Sequence, residues 1–194
     1  FKHNQEGAAA LADASKHNHR QRRRSLVGKD IKEDAAAASL PKNKTLKELL
    51  LQQNKIGDKG AEKMAEALSS NGTLKLLWLG ENNIGHSGAE FLADAIKKNT
   101  TLEELSLLNN KIEDKGASSL AAALKKNRHL EILKLDYNGI QEKGAKSLAD
   151  ALERNAKLNS LTLYNNNISH ASSRKIKEAW GTRVGELILP VADD

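Results

Sequence analysis

The sequence predicts an α/β fold: a curved solenoid with short parallel strands on its concave face and helices on its convex face. Three observations predict it. A pattern of leucines closed by one asparagine and one isoleucine recurs at a fixed interval. An alanine-rich segment with helical spacing follows it, and aromatic residues make up only 3% of the chain, which leaves leucine and alanine to build the interior.

The strand half of each unit reads LKELLLQQNKI from Leu46, LKLLWLGENNI from Leu74, LEELSLLNNKI from Leu102, LEILKLDYNGI from Leu130 and LNSLTLYNNNI from Leu158, each start 28 residues after the last. One such unit cannot bury both of its faces, so neighbours must stack into a continuous core. Strand alternation sends Leu77 and Leu79 inward, joined by Leu74 and Ile84, while the residues between them face outward. Asn54, Asn82, Asn110, Asn138 and Asn166 stand where the strands end. An amide carries donor and acceptor together, so a stacked column of them satisfies backbone groups that leucine would leave unpaired.

The helical half reads GAEKMAEALSSN from Gly60, GAEFLADAIKKN from Gly88, GASSLAAALKKN from Gly116 and GAKSLADALERN from Gly144. Ala61, Met64, Ala65 and Leu68 form the i, i+3, i+4, i+7 stripe of an amphipathic helix. Asp58 and Asp114 are the expected N-caps of their own helices. Asn71, Asn99, Asn127 and Asn155 are expected to close them in the left-handed conformation that asparagine tolerates. The four glycines let the first helical turn approach its neighbour closely.

These motifs resemble the ribonuclease-inhibitor-like subfamily of leucine-rich repeats, found in ribonuclease inhibitor, in the sensor domains of NOD-like receptors and in the Ran GTPase-activating protein. The likeness rests on the 28-residue period and the GAxxLAxALxxNxxL helical half, and it runs from residue 46 to about 170. It implies a horseshoe with a concave binding face. It does not name a partner, because this scaffold serves many.

Residues 1–194 are expected to form a single domain: degenerate repeats over 1–45, five regular repeats over 46–170, and a capping helix and strand over 171–194. GAAALADASKHN from Gly7 matches a helical half, so the chain is expected to begin inside a repeat, as a segment of something longer. In the next unit Gln21, Arg24 and Lys29 take the places of two leucines and the asparagine, and its helix is about three residues short, ending at Pro41. A buried arginine at position 24 is costly, so this edge is expected to be distorted, frayed or turned to solvent. Ile176, Ala179 and Trp180 make the face of a final helix, with Trp180 as a lid, and VGELIL from Val184 supplies a last strand.

Composition narrows the chemistry. No cysteine is present, which removes disulfides, thiol nucleophiles and thiolate metal sites and fits a cytoplasmic protein. No stretch approaches the roughly 20 apolar residues of a membrane helix, so no membrane partner is expected. Asn43, Asn71, Asn99 and Asn167 begin glycosylation-type triplets, but NGT and NTT recur within the repeat and read more simply as part of it. Gly28 and Lys29 lack the first glycine of a phosphate loop, since Arg23 stands there. His17 and His19, two apart, do not share a helix face, and His86, His129 and His170 lie in separate repeats; no metal or other cofactor is expected. Glu103, Glu104 and Asp136 are placed on a solvated strand face with nothing to perturb them, so no catalytic residue and no small-molecule substrate are assigned.

The function expected is non-enzymatic: a scaffold or recognition module that binds a partner protein on its concave face. Leu50, Leu76, Trp78, Leu108, Ile132, Tyr137 and Tyr164 form an apolar and aromatic track across the outward columns, with Lys134 and Asp136 beside it. Tryptophan and tyrosine are the usual anchors of protein interfaces. Trp78 is expected to be exposed, so that its truncation weakens capture and spares stability. Two alternatives are an inhibitor or GTPase-activating regulator of a partner enzyme, and nucleic-acid contact through Arg20, Arg22, Arg23 and Arg24. The second rests on charge: residues 1–45 hold ten basic against five acidic residues, +5 of a total of +6. A nucleic-acid partner is not the expected one, because the run falls in the strand of a worn repeat. The register makes a direct prediction: Leu105→Ala opens a core cavity and costs about 2 to 5 kcal/mol in chemical denaturation, whereas a surface-like cost would contradict the inward assignment.

Overall fold

The computed structural model describes residues 22–29, 37 and 40–190. Seven strands, β1 Arg23–Ser25, β2 Glu48–Leu50, β3 Leu76–Trp78, β4 Glu104–Ser106, β5 Ile132–Lys134, β6 Ser160–Thr162 and β7 Glu186–Ile188, form one parallel sheet in chain order. Helices α1 Gly57–Ser70, α2 His86–Ile96, α3 Glu113–Leu124, α4 Glu142–Leu152 and α5 His170–Trp180 alternate with them, and a 3-10 turn covers Leu40–Lys42. Register follows the repeat: Leu49, Leu77, Leu105, Leu133 and Leu161 lie side by side, all fully buried.

Two columns of amides hold the stack together. At the strand ends, Asn82 donates through Nδ2 to the carbonyls of Leu51 at 2.8 Å and Gly80 at 2.9 Å, and its Oδ1 accepts from Asn54 N at 3.2 Å. Asn54, Asn110, Asn138 and Asn166 likewise donate to one carbonyl of the preceding repeat and one two residues back. On the far side Asn99 donates to Leu68 O at 2.9 Å and Asn71 O at 3.1 Å, while its Oδ1 accepts from Thr101 N and Leu102 N. This second column corrects the left-handed closure expected of these asparagines. Asn71 is extended, with φ −86° and ψ 123°, because its side chain is committed to the preceding repeat.

The expected N-caps are corrected as well. Asp58 lies inside the first turn of α1, and its Oδ1 accepts from Gly85 N at 2.6 Å and Gly88 N at 3.0 Å, thereby capping α2. Asp114 caps α4 in the same way, through Gln141 N and Gly144 N, both at 2.8 Å. A carboxylate at a helix N-terminus satisfies donors with no partner in their own helix and complements the helix dipole. Here each carboxylate comes from the preceding repeat. Gly88 and Gly144 are required at these joints, since a Cβ would meet the capping carboxylate oxygen at 2.7 and 2.8 Å.

The two ends differ from the regular units. β1 pairs with β2 in register, Arg24 beside Leu49, so among the described residues the strand is neither distorted nor frayed, while Arg22, Arg23 and Ser25 are turned to solvent. Arg24 is half-buried rather than fully buried, which spares most of the desolvation cost of a core arginine. Residues 7–18, and most of the short helix before Pro41, lie outside the described residues. At the other end Trp180, on the last described helix, is buried against the core. Arg183 completes the second column: its guanidinium donates to Leu152 O and, at 2.9 Å, to Asn155 O, as the asparagine 28 residues earlier does one repeat back.

Glu142 extends the capping scheme to the last helix, accepting from Ser169 N at 2.8 Å and from the Ser172 hydroxyl. Those bonds, the Ser172 hydroxyl first, hold its carboxyl below the usual value. A lowered folded-state pKa stabilises above the ordinary carboxylate range and is lost as pH falls through the lowered value. The stability gap between the native chain and Glu142→Gln should therefore be wider near neutral pH than at about pH 3 in urea titrations. An equal gap at both would remove the cap from the account.

Candidate functional site: the concave face

Outward strand positions line up as columns across the sheet. The first holds Glu48, Leu76, Glu104, Ile132 and Ser160; the second holds Leu50, Trp78, Ser106, Lys134 and Thr162. Beyond the strands follow Gln52, Gly80, Leu108, Asp136 and Tyr164. The residues next in sequence, Gln53, Glu81, Asn109, Tyr137 and Asn165, all have φ between 51° and 58°. Their amides continue the inter-repeat ladder, as in Gln53 N to Gly80 O at 3.0 Å and Tyr137 N to Tyr164 O at 2.9 Å. The left-handed turn repeats because the strand must bend inward there to reach the asparagine column. Asparagine tolerates it, whereas for tyrosine it carries strain.

Trp78 is half-buried and tied into a network, which corrects the freely exposed anchor expected from sequence. Its indole N–H donates to Glu104 Oε1 at 2.7 Å, and Lys134 Nζ donates to the same oxygen at 2.9 Å. Lys134 Nζ also lies 5.0 Å from the Trp78 ring centroid. Glu104 is correspondingly covered, with 14% of its side chain exposed, rather than solvated. These contacts fix the indole by a charge-assisted bond and a cation–π contact, each stronger away from bulk water. Truncating Trp78 removes a partner from both charged groups, so its effect on stability exceeds that of an isolated surface residue.

Tyr137 and Tyr164 are the exposed aromatics of the face, each 43% accessible. Their rings meet edge to face, with centroids 5.5 Å apart and planes at 69°. Asp136 organises this corner, its carboxylate accepting from Tyr164 N at 2.7 Å and from the Thr162 hydroxyl. Ile188 of β7 is also exposed on this side, whereas exposed Phe91 lies on α2 and exposed Val184 before β7.

Other candidate residues fare differently. Leu76, Leu108 and Ile132 are half-exposed on the concave face. Leu50 and Asp136 are buried, Leu50 in register between Ser25 and Trp78, so neither offers free contact surface in this arrangement. Along the strand entries Glu103 pairs with Lys75 at 2.5 Å and Glu131 with Lys157; the Glu131 carboxyl is held below its usual value, first by the Lys157 hydrogen bond. Exposed pairs of this kind contribute little to stability. Arg22 and Arg23 are exposed, Arg23 facing Glu48 at 3.3 Å; Arg20 lies outside the described residues. Among the described residues no group of three or more His, Asp or Glu side chains is placed to hold a metal ion, and no helix is long and apolar enough to cross a membrane. His17 and His19 lie outside them.

Sequence reading picked out Trp78 and Lys134 separately and missed that Glu104 joins them. The available signal was spacing: residues 26 and 30 apart in a 28-residue repeat are diagonal neighbours on adjacent strands. Arg183 was missed for a different reason, because an arginine does not look like the asparagine whose bonds it reproduces.

The geometry defines a leucine-rich-repeat solenoid. A family model described as Leucine Rich repeat matches residues 42–65, 98–121 and 126–149. Among solved structures the chain is similar to leiomodin-1 actin-binding site 2, with a TM-score of 0.56 and 19% identity over 87% of this chain and 84% of that one. It is similar also to the tropomodulin C-terminal domain from Caenorhabditis elegans, with a TM-score of 0.57 and 12% identity over 89% of this chain and 90% of that one. At such identities the likeness is one of fold. No curated protein matches the sequence.

Proposed function

We propose that residues 1–194 act as a single, non-enzymatic recognition domain that binds a partner protein on its concave face. The observation that carries this reading is the pair of exposed, mutually packed tyrosines on the same face as a tryptophan held in place by Glu104 and Lys134. Aromatic side chains already fixed before contact lose little entropy on binding, which is what interface hot spots require. Lys134 supplies a polar element at the same spot, and Leu76, Leu108 and Ile132 surround it with apolar area. Asp136 and Leu50 have supporting roles beneath this surface.

On the 28-residue period and the helical half we assign the repeats to the ribonuclease-inhibitor-like subfamily, and the proposed location is the cytoplasm, with which the lack of cysteine is compatible. The similar leiomodin-1 domain is named for actin binding, so actin is the first partner to test. Immobilised protein should retain the partner, and a variant carrying Trp78→Ala, Tyr137→Ala and Tyr164→Ala should lose about 2 kcal/mol or more of binding energy, roughly thirtyfold in Kd. Undiminished affinity in that variant, with loss on substituting exposed residues of the convex helices instead, would move the binding face.

A further inference from the structure

The arginine run of the first described strand has no part in the concave-face reading, yet it carries chemistry of its own. Arg22, Arg23 and Arg24 run directly into Ser25 and Leu26. Of all serines and threonines in the chain, Ser25 alone has arginine at both the second and third positions before it. Those two arginines and Ser25 itself are exposed. A fixed pattern of cations upstream of a hydroxyl is how basic-directed kinases discriminate among substrates.

We propose that Ser25 is a phosphoacceptor site for an arginine-directed serine kinase, with Arg22 and Arg23 as the recognised cations. In the transfer, Ser25 Oγ bonds to the γ-phosphorus of a nucleoside triphosphate as the bond from that phosphorus to the bridging oxygen breaks. The hydroxyl proton passes to the kinase's catalytic carboxylate, and the nucleoside diphosphate leaves with the bonding electrons. Planar guanidinium groups suit this recognition because they pair in bidentate fashion with the carboxylates of a kinase cleft.

The structure presents the segment in usable form. Strand β1 is already extended, and among the described strands it pairs with β2 alone. It is held from one side: Arg22 O accepts from Lys47 N and Glu48 N, Leu26 N donates to Leu50 O at 2.8 Å, Gly28 N donates to Gln52 O and Asn54 Nδ2 to Leu26 O, both at 3.0 Å, and Leu26 is the buried leucine of the segment. Gln21, Arg24 and Lys29 stand where regular repeats have two more leucines and the column asparagine. The ion pair of Arg23 with Glu48 is exposed and easily exchanged. Once transferred, the phosphoryl group lies on the same side of β1 as Arg23, two residues away, where about −1.5 to −2 charges gain a cationic neighbour.

The test uses the full chain, the purified catalytic subunit of a cyclic-AMP-dependent serine kinase and ATP, with incorporation followed by intact mass and the site mapped by fragmentation. A synthetic peptide covering residues 18–30 is run in parallel. One phosphoryl group on Ser25 is expected, with incorporation at background in Ser25→Ala. The double variant Arg22→Ala and Arg23→Ala should show an initial rate roughly tenfold or more lower, at unchanged circular dichroism. Incorporation that survives Ser25→Ala, a rate indifferent to the two arginines, modification of the peptide but not of the folded chain, or none of either would each overturn the proposal.

Discussion

Where each strand ends, the backbone turns inward and carries its amide and carbonyl groups into a hydrophobic interior, and the side chains of Asn54, Asn82, Asn110, Asn138 and Asn166 bond them there. Left unpaired, each such group costs about 1 to 3 kcal/mol. Because the donors and acceptors served by one amide belong to its own repeat and to its neighbour, the column does more than fill lone pairs. It sets the translation between repeats. Leucines can slide over one another, but an amide satisfied from two sides cannot, and the strand register and the left-handed turn after each strand follow from that restriction.

The second amide column and the carboxylate caps apply the same logic on the helix side. They also show that the repeats alternate. Gly57 and Glu113 enter their helices with φ of 59° and 54°, whereas in the intervening units Asn83 and Gly139 take the left-handed conformation two residues earlier in the repeat. Asp58 and Asp114 belong to the first kind and cap helices of the second kind. The stack is thus a chain of nearest-neighbour joints, made by asparagines that reach one repeat back and carboxylates that reach one repeat forward. Such a frame holds the concave columns at fixed spacing, and that makes a network across β3, β4 and β5, such as Trp78 with Glu104 and Lys134, geometrically possible.

Much of this was legible in the sequence because a repeat shows its core by what does not change. Leu74, Leu77, Leu79 and Ile84 recur at every period, and all four are fully buried. The concave columns were legible for the complementary reason, since they vary within an invariant frame. What sequence reasoning missed lies between repeats. Asp58 looks like the cap of the helix it starts, and only the stacked geometry shows its carboxylate turned to Gly85 and Gly88. Glu104 looks solvated until Trp78 and Lys134 are seen to close over it. Asn71 was assigned a conformation from its own helix end, whereas its side chain answers to the carbonyls of Leu40 and Asn43. Contacts at separations of 26 to 31 residues cannot be read from a local motif unless the repeat is laid against itself.

The claim that amide saturation, beyond hydrophobic burial, holds the repeats in register is tested most directly at Asn110. Its Oδ1 accepts from Asn82 N at 3.1 Å and Ile84 N at 2.9 Å, and its Nδ2 donates to Leu79 O and Leu107 O at 3.0 Å. Asn110→Leu nearly preserves volume and adds apolar surface while removing every one of these bonds. Equilibrium urea denaturation of that variant should show a loss of about 3 kcal/mol or more, from buried groups left without partners. Stability unchanged or raised would mean that leucine packing alone specifies the stack.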